Sequence, residues 1–211
     1  MLGSNREGLG EGMIVCDVEA TGLDRKVNSI VSLGAVDFEH PRNIFYRECR
    51  IFKGAKIDNA ALRVNGFSIK EIKSLNKISL KQLMIEFIRW AYKINDITIA
   101  GQNPGFDLGF IASSLERYGL ENRFRHRTID LHSECYDFHI RNKMRVPLKN
   151  SCSAISLDYT LKLVGLMEEP RPHNALVGAK LEAEAFSRLL HGKSLFKEYG
   201  AFPIPRRLKS H

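Results

Sequence analysis

Several things are scarce in this chain of 211 residues. No apolar run approaches the roughly 20 residues that a transmembrane helix needs, so the expectation is a protein without a membrane partner. The first twelve residues carry no apolar signal-peptide core. They read instead as a glycine-rich, polar and disordered leader. The four cysteines, Cys16, Cys49, Cys135 and Cys152, never form a C-x-x-C pair, which argues against a zinc site or a disulfide scaffold. A soluble, reduced, cytoplasmic protein is expected, with Cys16 as a buried thiol inside an apolar stretch. There is no internal repeat and no low-complexity linker, so nothing suggests a solenoid or a tethered pair of domains. Acidic residues are also in the minority: 24 Asp and Glu face 32 Lys and Arg, a formal charge of +8. That balance suits a polyanionic partner and equally suits a solvated basic surface.

The length and an apolar share of 44% suit one α/β domain with a sizeable core. Its most informative stretch is Met13-Ile14-Val15-Cys16-Asp17-Val18-Glu19-Ala20-Thr21-Gly22-Leu23. In a strand, residues i and i+2 share a face, so Asp17 and Glu19 project side by side. Two carboxylates that close repel each other unless a cation lies between them. A divalent-metal site on a strand, opened by the Thr21-Gly22 turn, is the economical reading.

The rest of the chain reads as α/β. Apolar and β-branched patterning predicts strands over 13–18, 29–38 and 43–52, joined by short turns as an antiparallel meander, and a further strand over 97–101. Helices are predicted over 80–94 with Ser79 as N-cap, 106–118, 128–143, 157–164 ending at Gly165, and 174–191 after Pro172. Beyond Gly192 the chain is basic, proline-punctuated and expected to be loose. A mixed sheet flanked by helices follows from this order.

Three other positions stand out. Asp107 falls in the first turn of a helix just after a strand, where α/β folds place ligand sites; it also suits the helix macrodipole. His173 precedes the last helix on a proline-stiffened approach, as a general base or as a surface histidine. Gly178 lies within that helix, where glycine costs about 1 kcal/mol relative to alanine. It marks either a site or a close helix contact.

Together these residues resemble the DEDDh family of 3′→5′ exonucleases, the DnaQ-like superfamily that includes proofreading exonucleases and ribonuclease T. The resemblance covers about residues 13 to 191. Asp17-Val18-Glu19-Ala20-Thr21-Gly22-Leu23 is similar to the first motif, usually Asp-x-Glu-Thr-Thr-Gly-Leu. Asn65-Gly66-Phe67-Ser68 is similar to the segment after the third strand. Asn103 to Phe110 matches the second motif, Asn-x-x-Phe-Asp-x-x-Phe. His173-Asn174-Ala175-Leu176-Val177 matches the third, His-x-Ala-x-x-Asp, up to its last residue. The resemblance implies a ribonuclease H-like mixed sheet and an exonuclease domain over 13–192, between the leader 1–12 and a basic tail 193–211.

It also implies chemistry. In the family two divalent ions, usually Mg²⁺ or Mn²⁺, bridge the scissile phosphate. Asp17 would bridge both ions, Glu19 would bind the first, Asp107 would support the second, and His173 would be the general base. Hard oxygen ligands fit those ions better than zinc. The family's fourth acidic ligand falls on Gly178, which cannot ligate. Three explanations stand open: an inactivated variant, a natural member with lost or weakened catalysis, or a nearby acid, Glu182 or Glu184, reaching in. A chain inactivated or weakened at Gly178 is the expectation, with Gly178→Asp restoring trimming. The rival is a non-catalytic module that binds nucleic-acid ends or a partner protein.

The implied partners are single-stranded DNA or RNA 3′ ends, and a protein in a replication, repair or nucleic-acid-processing complex. Thr21, Gly22 and Leu23 would hold the 3′ end, Leu23 as a wedge. Asn103 and Phe67 would contact the strand. Phe67 and Phe106 are candidate stacking rings, with core packing the alternative, favoured for Phe106. Two basic clusters, Arg123 to Arg127 and Arg141 to Arg145, would track a backbone or simply be solvated.

Overall fold

The computed structural model describes residues 12–209. The leader expected over 1–12 therefore lies outside the described residues except for Gly12. Six strands form one mixed sheet: β1 (Ile14–Ala20), β2 (Ile30–Asp37), β3 (Ile44–Arg50), β4 (Ile78–Ser79), β5 (Ile99–Gly101) and β6 (Ile129–Asp130). Their order is β4-β3-β2-β1-β5-β6. β1, β2 and β3 are antiparallel neighbours, while β5 runs parallel to β1 and β6 parallel to β5. The meander and the mixed sheet are as the patterning predicts.

Helices α1 (Asn59–Asn65), α2 (Ile69–Ile72), α3 (Leu80–Ala91), α4 (Gly105–Arg117), α5 (Leu131–Arg141), α6 (Leu157–Leu163) and α7 (Ala175–His191) surround the sheet. Strand β1 is apolar on both faces because both are covered. Ile14, Cys16 and Val18 pack with Leu83, Phe87, Phe110 and Ile111 of α3 and α4. Val15 faces the opposite way, toward Leu131, Phe138, Leu161 and Phe186 of α5, α6 and α7. By the strand's period of two, Asp17 and Glu19 share Val15's face, the one that α7 covers.

The caps explain where the helices start. Ser79 accepts a hydrogen bond from the Gln82 N–H, as expected, and Asn174 accepts from Leu176 and Val177. Two expectations need correction. The segment 128–143 is not one helix: Ile129 and Asp130 pair with Ala100 and Gly101 at the sheet edge, and Asp130 then caps α5. Two residues of strand are too short to show a period. Residues 193–209 are not loose either. Leu208 is buried in the α5–α7 core, and the backbone N–H groups of Leu195 and Phe196 donate to Glu184. The prolines and charges of this segment concealed a few apolar anchors.

Cys16, Cys49 and Cys135 are buried free thiols and Cys152 is exposed and free. Among the described residues, no helix is long and apolar enough to cross a membrane.

Candidate active site

The site forms where α7 begins over the centre of the sheet. Asp17 pairs in register with Gly34 on β2. A Cβ on Gly34 would collide with the Ala175 carbonyl, so only glycine lets the first turn of α7 settle directly on the strands beside Asp17. This contact brings motifs more than 150 residues apart in sequence into one place.

Asp17 is half-buried, and desolvation pushes its carboxyl up to about 7. Glu19 is buried; burial, then the charges of Asp17 and Glu169, push it up to about 8, against a hydrogen bond from Asn65. Asn65, at the end of α1, also donates to the Ala20 carbonyl at 3.1 Å. Asp107 enters from the first turn of α4 and accepts the Val18 N–H at 2.9 Å. Burial first and Asp17 second hold its acid well above the ordinary carboxylate range. Burial and the crowding of like charges favour a proton or a bound cation on these acids.

His173 is tied to α1 through its backbone N–H, which donates to Val64 at 3.0 Å. Its Nδ1 lies 3.5 Å from Glu169 Oε2. Desolvation and Arg171 hold the imidazole below its usual value, so it is neutral near pH 7 and able to accept a proton. Position 178 faces the acids: a Cβ there would strike Asp17 Oδ2.

The two acids weighed as substitutes separate cleanly. Glu182 is buried, receives the Gln102 backbone N–H, and is held well above its ordinary range by burial and then by Asp17 and Asp107. Glu184 does not reach the site. It is fully enclosed elsewhere, bound by Arg188 at 2.7 Å and by Ser194, Leu195 and Phe196. Helix phase is the reason: 182 lies one turn below 178 on the same face, and 184 lies on another.

Other expected contacts are mixed. Thr21 is fully buried, its N–H donating to Ser29 and its hydroxyl to Lys56, so it holds the turn closed. Leu23 is 84% exposed on that turn, beyond Gly22. Phe67 is half-buried beneath Lys77, whose Nζ lies 4.4 Å from the ring centroid. Phe106 packs on Phe110. Asn103 is exposed, in a left-handed conformation, with its N–H on Asp130. In the basic clusters Arg123 pairs with Glu121 and Arg141 with Asp137, while Arg125, Arg127 and Arg145 are exposed. Asn65, Asn174 and Glu169 were not among the expected site residues. Asn65 lies in the quoted segment after the third strand, but nothing in the sequence marks Glu169.

The donor set suits a divalent cation in chemistry and burial. Its ligands are hard carboxylate oxygens. Among the described residues, four buried side-chain atoms lack a hydrogen-bond partner: Glu169 Oε1, Glu182 Oε2, Ser32 Oγ and Gln102 Oε1. Ser32 pairs in register with Glu19, so three of the four belong to this neighbourhood, while the Gln102 side chain turns to the Ile155 carbonyl. Buried orphans of this kind call for a partner such as an ion or water. No three His, Cys, Asp or Glu side chains among the described residues already close around one point.

A family model described as exonuclease, of the RNase T type, matches residues 14–186, and the chain belongs to that family. Its fold is that of the DEDDh exonucleases. The nuclease domain of 3′hExo, a DEDDh member bound to rAMP, superposes with a TM-score of 0.67 at 15% identity, covering 92% of this chain and 96% of that one. E. coli exonuclease I in complex with a dA16 oligonucleotide gives 0.66 at 15% identity, over 90% of this chain and 43% of that one. At such identities the likeness is one of fold. In sequence, ribonuclease T from Haemophilus influenzae strain PittEE is 23% identical over 207 residues, 90% of this chain and 82% of its own length. The PolC-type DNA polymerase III of Listeria innocua is 28% identical over 107 residues. There the match takes in 51% of this chain and only 7% of the polymerase.

Proposed function

We propose that the protein is a cytoplasmic, divalent-ion-dependent 3′→5′ exonuclease that hydrolyses phosphodiester bonds at single-stranded DNA or RNA 3′ ends. The observation that carries this reading is the meeting of Asp17, Glu19 and Asp107 with a neutral His173 at the start of α7. Asp17, Glu19 and Asp107 would hold two Mg²⁺ or Mn²⁺ ions, Asp17 central to both. Bound there, the ions supply charge stabilisation to the phosphate and to the departing 3′ oxygen.

The chain's own side chains do the rest. His173 Nδ1 faces Glu169, which leaves Nε2 to take the proton from the attacking water. The P–O bond to the 3′ oxygen breaks as the water oxygen joins phosphorus; the departing 3′ oxygen takes a proton from solvent to become a hydroxyl, and His173 returns its proton to solvent. Leu23, exposed on the turn after the acids, would wedge the terminal base, and Phe67 and Asn103 would contact the strand. The relatives support the substrate class: exonuclease I in complex with oligonucleotides, 3′hExo bound to rAMP, and ribonuclease T. The PolC-type relative supports a protein partner in replication, repair or nucleic-acid processing.

Gly178 favours a second reading, a module that holds ends without cutting. A gel time course on 5′-labelled DNA and RNA oligonucleotides, with Mg²⁺, Mn²⁺ or chelator, separates the two. Stepwise shortening from the 3′ end, blocked by chelator, is the expected result. No shortening of either nucleic acid, together with a mobility shift of the labelled strand by the protein, would establish the binding module.

A further inference from the structure

Resting on that metal-dependent reading, the geometry points to Glu169 and Glu182 as the carboxylates that replace the one missing at position 178. Glu169 arrives from the loop between α6 and α7. Its backbone N–H is anchored on Asp158 Oδ1 at 3.2 Å, and its side chain is only 9% exposed. Its Oε1 has no hydrogen-bond partner and lies 3.3 Å from where a Cβ on residue 178 would sit. Asp17 Oδ2 borders the same point. The volume that a side chain at 178 would fill is therefore already occupied by an acid from another segment.

Glu182 comes from one turn further along α7 and is 5% exposed. Its Oε2 is likewise unpartnered and lies 2.9 Å from where a Cβ on Gly101 would sit. Gly101 ends β5 beside Cys16 and Asp17, so the absence of a side chain there admits the carboxylate to the Asp17–Asp107 side. Glu169 stands on the Asp17–Glu19 side, next to His173. An acid whose role is purely structural has its oxygens used, as Glu184 does a few residues away. These two each keep one oxygen free inside the protein, aimed into a set of like charges.

Glycine at 178 then makes room for the Asp17 carboxylate and, beside it, for Glu169. This reverses the expectation that aspartate at 178 restores a lost function.

The test is Mn²⁺ affinity by calorimetry and by electron paramagnetic resonance on the full chain. Glu169→Gln and Glu182→Gln should each weaken binding by roughly 10–100-fold, the scale known for removing a supporting group at a metal site. Gly178→Asp alone should gain little. In the Glu169→Gln background, where a neutral amide replaces the competing charge, it should recover about tenfold or more. Circular dichroism confirms that each variant is folded. Wild-type affinity in either single Gln variant overturns the assignment. So does a tenfold gain from Gly178→Asp alone. A wild-type protein that binds Mn²⁺ but shortens no oligonucleotide defeats the exonuclease reading and leaves this assignment standing.

Discussion

Helix α7 buries acids on two of its faces, two residues apart along its middle, and the two faces treat them in opposite ways. On one, Glu184 and Arg188 form a fully buried ion pair at 2.7 Å. Arg188 also donates to the Val164 and Tyr199 carbonyls, and Glu184 accepts from Ser194, Leu195 and Phe196. On the other, Glu182 and its neighbours Asp17, Glu19, Asp107 and Glu169 have no buried Lys or Arg partner among the described residues. Burial is common to both faces; the difference is compensation. A buried charge supplied with every partner is part of the architecture, whereas a buried charge left short of partners is waiting for one from outside.

The sharpest way to break this contrast is at Asp17, the centre of the uncompensated face. Asp17→Ala should abolish detectable Mn²⁺ binding in calorimetry and any oligonucleotide shortening, while the chain stays folded. Unchanged metal affinity would leave the acids without their common purpose.

His173 comes next. His173→Ala should lower turnover by about 10²–10⁴-fold, the usual worth of a general base, with Mn²⁺ affinity and melting temperature little changed. A collapse in stability at unaltered rate would assign the ring to packing between α1 and α7.

On the compensated face the effect should appear in stability. Arg188→Ala strands the Glu184 carboxylate in the core and should cost about 3–5 kcal/mol in denaturant unfolding. A cost near zero would mean that the two faces are not so different.

The smallest effect is on pH. The carboxyls of Asp17 and Glu169 are raised to about 7 and that of Glu19 to about 8, so the folded protein holds protons that the unfolded chain releases near pH 4. Their contribution to stability is complete below about pH 4 and is lost as pH climbs through about 8. In chelator, the melting temperature should be higher at pH 5.5 than at pH 8.5. Mn²⁺ should remove most of that slope. A melting temperature that rises with pH in chelator would contradict the crowding of the acids.

Much of the sheet and part of the site could be read from the sequence. β1 to β3 announce themselves because alternation and β-branching are local properties, and Ser79 announces α3 for the same reason. Asp17 and Glu19 are legible because a strand's period alone puts them together. Glu182 and Glu184 are separable by helix phase. Glu169 is different: it sits in a loop, and only the packing of that loop against α7 delivers its carboxylate to position 178. β6 and the anchoring of the final residues fail for a related reason, since two-residue strands and single apolar anchors carry no periodicity.

The far end of α7 has a mechanical consequence. The helix is a rod of 17 residues, about 25 Å long. Its base is gripped by the segment from Lys193 to Leu208 through Glu184, Ser187 and Arg188. A protease that nicks this segment would touch no acid of the active site, yet it would loosen the mounting that holds His173, Gly178 and Glu182 against the sheet. Resistance to limited proteolysis there and nuclease competence should therefore be lost together.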